Sequence, residues 1–134
     1  MTRVPMTIPL WCLAAFVLWT IALVVALSIA RFRHLAAGGA VRDFGMPDER
    51  RAIWRLYRAH LNCVENLPLF AAIVLLATVR GVAGPRLDTC AVVYLGARLL
   101  QSTVHVCGGP GNARFVCLIV QLVALVQLTL LAVG

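Results

Sequence analysis

Long apolar runs separated by short segments rich in arginine, glycine and proline dominate the chain. The first run extends from Val4 to Ala30 without a charged residue, longer than the roughly 7 to 15 apolar residues of a secretory signal, and it predicts a retained helix at about 7–30. Three further helices are predicted at about 47–79, 87–107 and 114–133. Because about 20 apolar residues cross a bilayer, the pattern predicts an all-α integral membrane protein, a four-helix transmembrane bundle.

The second predicted helix is longer than a bilayer requires. Pro47 suits a first helical turn, and Asp48 and Glu49 would complement the positive end of the helix dipole. From 47 to 79, at about 1.5 Å per residue, the helix is roughly 45 to 50 Å long, so its arginine-rich start should protrude from the membrane. The connections are too short for another domain, and residues 1–134 are predicted to form a single membrane domain.

Composition agrees with this class, since 62% of the residues are hydrophobic and 13% are charged. All 12 basic residues are arginine, and five acids leave a net charge of +7. The arginines form no stripe interleaved with aromatic residues, which argues against nucleic-acid binding. The five cysteines are scattered singly with no CxxC pair, so we expect buried thiols and no metal site.

The arginines instead indicate orientation. The first and third connections carry more of them than the second connection and the N-terminus, so the positive-inside rule predicts that both termini are non-cytoplasmic, in a cell (inner) membrane. The cytoplasmic set is Arg31, Arg33, Arg42, Arg50, Arg51 and Arg114, against Arg3, Arg80 and Arg86 on the other side.

Polar residues inside the predicted spans recur at helical spacing. On helix 2, steps of three and four place five of them on one face, with His60 to the side. They are Arg55, Arg58, Asn62, Glu65 and Asn66. Helix 3 repeats the pattern with Arg98, Gln101 and His105. The depths of Glu65 and Arg98, counted from their shared connection, differ by about 5 Å, which predicts an ion pair.

Such a stripe has two interpretations. An unpaired charge at mid-membrane costs about 2.5 to 3.5 kcal/mol on insertion scales, so charged residues there usually serve a function. The alternative is a buried polar network that only fixes the register of the helices. Arg55 and Arg58 add positive charge that Glu65 alone cannot neutralise, and this surplus favours an anionic ligand.

The stretch "RLYRAHLNCVENLPLF", from Arg55 to Phe70, resembles the helix-2 signature of the MAPEG family, the membrane-associated proteins of eicosanoid and glutathione metabolism. The shared core is R-A-H-x-N-x-x-E-N, followed by a proline and an aromatic residue. Four helices, an arginine within the third and another just after the third connection also agree, over nearly the whole chain. The resemblance implies a MAPEG-like homotrimer with glutathione sites between subunits, open towards the cytoplasm.

Carried over by position, the resemblance implies roles for particular residues. Arg114 falls where the family's thiolate-activating arginine lies and is the expected catalytic residue. Gln101 and His105 occupy ligand positions that are commonly tyrosine in relatives, and Phe115 replaces a serine, which disfavours a prostaglandin-synthase-like role. The expected thiol-binding residues are Arg55, Arg58, His60, Asn62, Glu65, Asn66, Arg98, Gln101 and His105.

The leading hypothesis is therefore a transferase or peroxidase that uses glutathione, or another low-molecular-weight thiol, on lipophilic electrophiles from the bilayer. A non-catalytic lipid-binding or scaffolding member of the family is the alternative that the altered third helix allows. A small proton-coupled drug exporter is disfavoured, because such proteins usually carry an acid in the first helix and this one has none there.

Overall fold

The computed structural model describes residues 5–134 as four α-helices. They are α1 (Ile8–Ala36), α2 (Ala52–Val79), α3 (Pro85–Val106) and α4 (Gly111–Val133), with a short 3₁₀ helix at Val41–Gly45 between α1 and α2. No strand occurs in this described range, so the all-helical prediction is confirmed. Arg3 and Val4, used above for orientation and for the start of the first apolar run, lie outside the described residues.

Three helices, α1, α2 and α4, are long and apolar enough to cross a membrane. The third, α3, is 22 residues long, but Arg86, Asp88 and Arg98 within it lower its apolar content. Its outward positions are nevertheless apolar, as Val92 and Leu100 are exposed. The four helices are compatible with a membrane bundle in which α3 carries the interior polar groups.

Helix α1 continues six residues beyond its predicted end at residue 30. The guanidinium of Arg31 lies 5.3 Å from the ring centre of Phe44 and 5.7 Å from that of Tyr57, so this turn packs against the α1–α2 connection and α2. Gly38, with a φ of 86°, ends the helix in the left-handed conformation that glycine adopts without strain. The six additional residues of α1 lie in the segment that was predicted to connect α1 and α2.

Helix α2 begins at Ala52 and not at the predicted Pro47. Asp48 is the reason, because its Oδ1 accepts the N–H of Arg50 and its carbonyl accepts the N–H of Arg51, both at 3.0 Å. These bonds close a local turn that competes with helix formation. The remaining 28 residues still extend about 42 Å, longer than a bilayer core.

An aromatic cluster joins three of the helices in the core. Phe70 of α2 stacks on Tyr94 of α3 with ring centres 4.5 Å apart, and Phe16 of α1 lies 6.1 and 6.2 Å from the two. All three side chains are buried. The opposite faces of α1 and α4 expose leucine and isoleucine, which suits contact with lipid or with another subunit.

Candidate functional site

The polar residues collect at the end of the bundle where α2 begins, α3 ends and α4 begins. Gly108, with a φ of 72°, allows the tight connection that places the last turn of α3 beside the first turn of α4. His105 and Arg114 therefore meet, and the first three turns of α2 lie against the end of α3 through Arg55 and Asn62.

His105 links Arg114 to Asn62. Arg114 Nη1 lies 3.1 Å from Nδ1 of the imidazole, and the side-chain amide nitrogen of Asn62 lies 3.2 Å from Nε2. A guanidinium can only donate, so Nδ1 is the acceptor and the neutral ring carries its proton on Nε2. Asn62 bonds to that proton through its amide oxygen, which a half-turn of the amide group brings into place. The chain of bonds holds Arg114 in a fixed position.

An acid from the α1–α2 connection contacts the same guanidinium. Glu49 Oε2 lies 3.5 Å from Arg114 Nη1, with 60% of the glutamate side chain and 26% of the arginine side chain exposed. Glu49 was predicted only as part of a helix start, and its contact with Arg114 was not predicted. No spacing pattern in the sequence could have found it, because it depends on how the connection folds back.

Arg55 is engaged by main-chain carbonyls. Its Nε donates to Val106 O at 3.1 Å, and its Nη1 donates to Glu49 O and Arg50 O, both at 2.9 Å. Val106 ends α3, where carbonyls lack helical partners. Arg55 thus ties the connection to the end of α3, and two of its three nitrogens are already occupied by protein.

Arg58 differs from Arg55, although both were predicted to bind ligand. It is half-buried and makes no hydrogen bond or ion pair with any residue from 5 to 134. Together with Arg98 and Arg114, it lies within electrostatic range of His105. Three arginines thus act on one imidazole together with a single carboxylate, that of Glu49, so the site carries an excess of positive charge.

Arg98 lies deeper, at 1% exposure. Its Nη1 donates to Gln101 Oε1 at 2.9 Å, which also accepts from Gln121 Nε2 at 3.1 Å, and Gln101 Nε2 donates to Arg114 O at 3.0 Å. Gln101 therefore connects the buried arginine to the start of α4. Arg98 Nε and Nη2 have no hydrogen-bond partner in the described chain.

The predicted ion pair between Glu65 and Arg98 does not form. At this level of the bundle Cys63 faces α3, since its Sγ lies 3.3 Å from Ser102 Oγ. Glu65, two residues further on, is rotated by about 200° and is exposed on the surface of the chain. Glu65 and Arg98 were predicted at similar depths along their helices, but the side chain of Glu65 does not point towards α3.

The other predicted positions are less central. Asn66 is half-buried and its Nδ2 donates to Asn62 O at 2.9 Å. His60 is half-buried, its Nδ1 has no partner among the described residues, and no contact brings it into the cluster. No group of side chains suited to a metal ion occurs within residues 5–134.

A cavity of about 500 Å³ lies at the other end of the bundle, between the start of α1 and the α2–α3 connection. It is lined mainly by apolar residues, with Thr78 and Asp88 as its polar side chains besides Thr7. None of the predicted site residues borders it. The cationic cluster therefore lies apart from this cavity, and it is partly exposed at Arg114 and Glu49, with 26% and 60% of their side chains accessible.

Four helices, of which three can cross a bilayer, and a cationic cluster at one end of their bundle define a helical membrane protein. The chain matches the family model described as the MAPEG family over residues 9–134, nearly its whole length. It therefore belongs to the MAPEG family, as its helix-2 signature indicated. A search of curated proteins found no match.

Proposed function

We propose that the protein is a membrane-embedded transferase or peroxidase that uses glutathione, or another low-molecular-weight thiol, on lipophilic electrophiles. The observation that carries this proposal is the fixed guanidinium of Arg114, which His105 holds through Nδ1 at 3.1 Å. Membership of the MAPEG family supports glutathione-related chemistry in general terms. The surplus of arginines around His105 suits the carboxylates and the thiolate of such a tripeptide.

Arg114 would provide the chemical activation. A guanidinium stays charged at any physiological pH, so it lowers the pKa of a nearby thiol and raises the fraction present as thiolate, the nucleophilic form. In a transfer, the thiolate forms a carbon–sulfur bond and the leaving group departs with the bonding electrons. In a peroxidase reaction, a first thiol reduces the peroxide to an alcohol and becomes a sulfenic acid, which a second thiol converts to a disulfide and water.

The remaining residues would bind the rest of the tripeptide. Arg58 has no partner within the described chain and is the strongest candidate for a substrate carboxylate. Asn62 and Asn66 supply amide groups on the same face. Arg55, Gln101 and Arg98 are already bonded to protein groups, and we assign them to positioning.

We further propose a homotrimer in an inner membrane, with the site on the cytoplasmic side and both termini on the other. Glu65 supports association, because its carboxylate is exposed on a membrane-spanning helix and has no partner in residues 5–134. A charge facing lipid is costly, and a neighbouring subunit would cover it. The partial exposure of Arg114 and Glu49, 26% and 60% of their side chains, supports the same assembly, which would enclose a ligand bound there.

One observation favours a non-catalytic lipid-binding member as the second candidate. Gln101 lies where relatives commonly carry tyrosine. Its amide oxygen accepts from Arg98 and Gln121, and one N–H of its amide donates to the carbonyl of Arg114. It therefore has no hydroxyl to offer a bound thiol and at most one amide N–H. Binding of a lipophilic ligand that Arg114→Ala leaves unchanged, without turnover, would support this reading.

The decisive experiment is an assay of the purified protein in lipid nanodiscs. Glutathione binding is measured by calorimetry, and conjugation of chlorodinitrobenzene is followed optically, with other cysteine-containing thiols in parallel. Arg114→Ala should lower turnover about 100-fold or more, as loss of one group that stabilises developing charge usually does. Arg42→Ala removes the same charge from an exposed position on the 3₁₀ helix and should leave turnover unchanged. Absence of both thiol binding and turnover in the unmodified protein would disprove the proposal.

A further inference from the structure

Glu49 is the acid that contacts the proposed thiolate-activating arginine. Its Oε2 lies 3.5 Å from Nη1 of Arg114, the same nitrogen that bonds to His105. The other acids of the connection are engaged elsewhere, since Asp48 accepts the N–H of Arg50 and Asp43 bonds to His34. In the protein without a ligand, the carboxylate of Glu49 is thus the anion at the Arg114 guanidinium.

The backbone holds Glu49 in this position. Arg55 donates to the carbonyls of Glu49 and Arg50, and through Nε to the carbonyl of Val106 at the end of α3. The turn at Asp48 fixes the preceding residue. The backbone of Glu49 therefore belongs to an anchored segment, which keeps its side chain within reach of Arg114.

We propose that Glu49 is an internal anion that occupies Arg114 until the thiolate of the substrate displaces it. This inference rests on the proposed function. Two anions beside one guanidinium repel each other, so the carboxylate has to move when the thiolate binds. The separation of 3.5 Å and the 60% exposure of the carboxylate make it a displaceable partner, because ion pairs of this kind are weak. Glu49 consequently lowers the affinity of the site for thiolates and prevents Arg114 from binding weaker anions.

Glu49→Gln tests the competition, since it removes the charge and keeps the shape. Asp48→Asn is the matched control, because it removes the same charge one residue away and retains the oxygen that bonds to Arg50. Calorimetry in nanodiscs should show that Glu49→Gln binds glutathione about two- to fivefold more tightly, the range expected for an exposed ion pair. Asp48→Asn should bind it as the unmodified protein does.

Binding of S-methylglutathione shows which group of the tripeptide competes with Glu49 for Arg114. Its sulfur is a thioether that cannot ionise, whereas its carboxylates are unchanged. Glu49→Gln should therefore leave its affinity unaltered. An equal gain for glutathione and S-methylglutathione, or a gain in Asp48→Asn as large as in Glu49→Gln, would overturn the inference in favour of a general charge effect. No gain for glutathione in Glu49→Gln would overturn it as well.

A measurement without any thiol separates this inference from the proposed function. Phenylglyoxal modifies accessible arginines, and mass spectrometry of the peptide containing Arg114 gives the rate at that residue. Glu49→Gln should raise the rate relative to the unmodified protein and to Asp48→Asn. Equal rates of phenylglyoxal modification in the three proteins would disprove that the carboxylate of Glu49 covers Arg114. Failure of the unmodified protein to bind glutathione would disprove the proposed function, together with the competition with thiolate.

Discussion

Arg114 Nη1 lies 3.1 Å from Nδ1 of His105, across the tight turn between α3 and α4. Besides the largely exposed carboxylate of Glu49, the hydrogen-bond partner of this guanidinium is a ring nitrogen that must be unprotonated in order to accept the bond. A neutral partner fixes the direction of the arginine without cancelling its charge, whereas a buried carboxylate would have neutralised it. The arrangement thus keeps a positive field available at the site while holding its source in place.

His105 should act as a positioning residue for Arg114. His105→Leu removes the acceptor, so we expect kcat/KM for thiol conjugation to fall about tenfold or more, in line with the loss of a hydrogen bond to a charged group. The acidic limb of the pH–rate profile should move to higher pH, because a displaced guanidinium lowers the pKa of the bound thiol less. His105→Gln retains an acceptor and should restore part of the rate. An unchanged pH profile in His105→Leu would argue against this role.

Arg55 should contribute to the stability of the fold, whereas Arg58 should contribute to glutathione binding. Arg55→Leu breaks three bonds to main-chain carbonyls and should destabilise the fold by about 2 to 3 kcal/mol, measured by thermal unfolding in lipid. Arg58→Leu breaks no bond within the described chain, so its unfolding temperature should change little while its affinity for glutathione falls. A larger loss of stability in Arg58→Leu than in Arg55→Leu would contradict both assignments.

Gln101 should stabilise the buried guanidinium of Arg98 by accepting a hydrogen bond from it. Gln101→Leu leaves a guanidinium at 1% exposure without its hydrogen bond, which should cost about 3 to 5 kcal/mol. Arg98→Met removes the charge and keeps most of the volume, so the double variant should be more stable than Gln101→Leu alone. A double-mutant cycle on unfolding in lipid should give a coupling of about 1 to 3 kcal/mol. Strict additivity would mean that Arg98 has another partner in the assembly.

Much of the fold and part of the site followed from the sequence. Helical periodicity grouped Arg58 and Asn62 on one face, and the structure places Asn62 against His105 of the next helix. Glu65 was misplaced because matching depths along two helices fixes height but not rotation. Only tertiary packing, here the contact between Cys63 and Ser102, decides which side of α2 faces α3.

The connection between α1 and α2 was the least predictable segment. Its sequence offered Pro47, Asp48 and Glu49 as helix-start residues, yet the side chain of Asp48 closes a turn instead. The contact from Glu49 to Arg114 is non-local and follows from that turn and from Arg55. Local propensities carry no information about such a contact, because it exists only once α3 and α4 have packed against α2.

Asp43 should make this connection sensitive to acid. The hydrogen bond from His34, at 2.8 Å, and next the N–H of Ala40, at 3.0 Å, hold the pKa of this carboxyl below its ordinary value. A lowered pKa in the folded protein means that the interaction stabilises the loop above the ordinary carboxyl pKa and is lost as the pH falls through the lowered one. Hydrogen exchange at the amide of Ala40 should therefore accelerate, relative to its intrinsic pH dependence, only in that acidic window, and Asp43→Asn should abolish the transition.

Gly39 should be required for the same contact at neutral pH. A Cβ at this position would overlap the imidazole of His34, so alanine would push the ring away from Asp43 and release the connection that carries Glu49. Gly45 is the matched control, because no atom lies within 4 Å of its Cβ position and its φ is not positive. Gly39→Ala should increase hydrogen exchange across residues 37–46 and weaken the contact between Glu49 and Arg114, seen as faster phenylglyoxal labelling of Arg114. Gly45→Ala should do neither. Equal behaviour of the two variants would show that the bond from His34 to Asp43 does not hold the connection over the site.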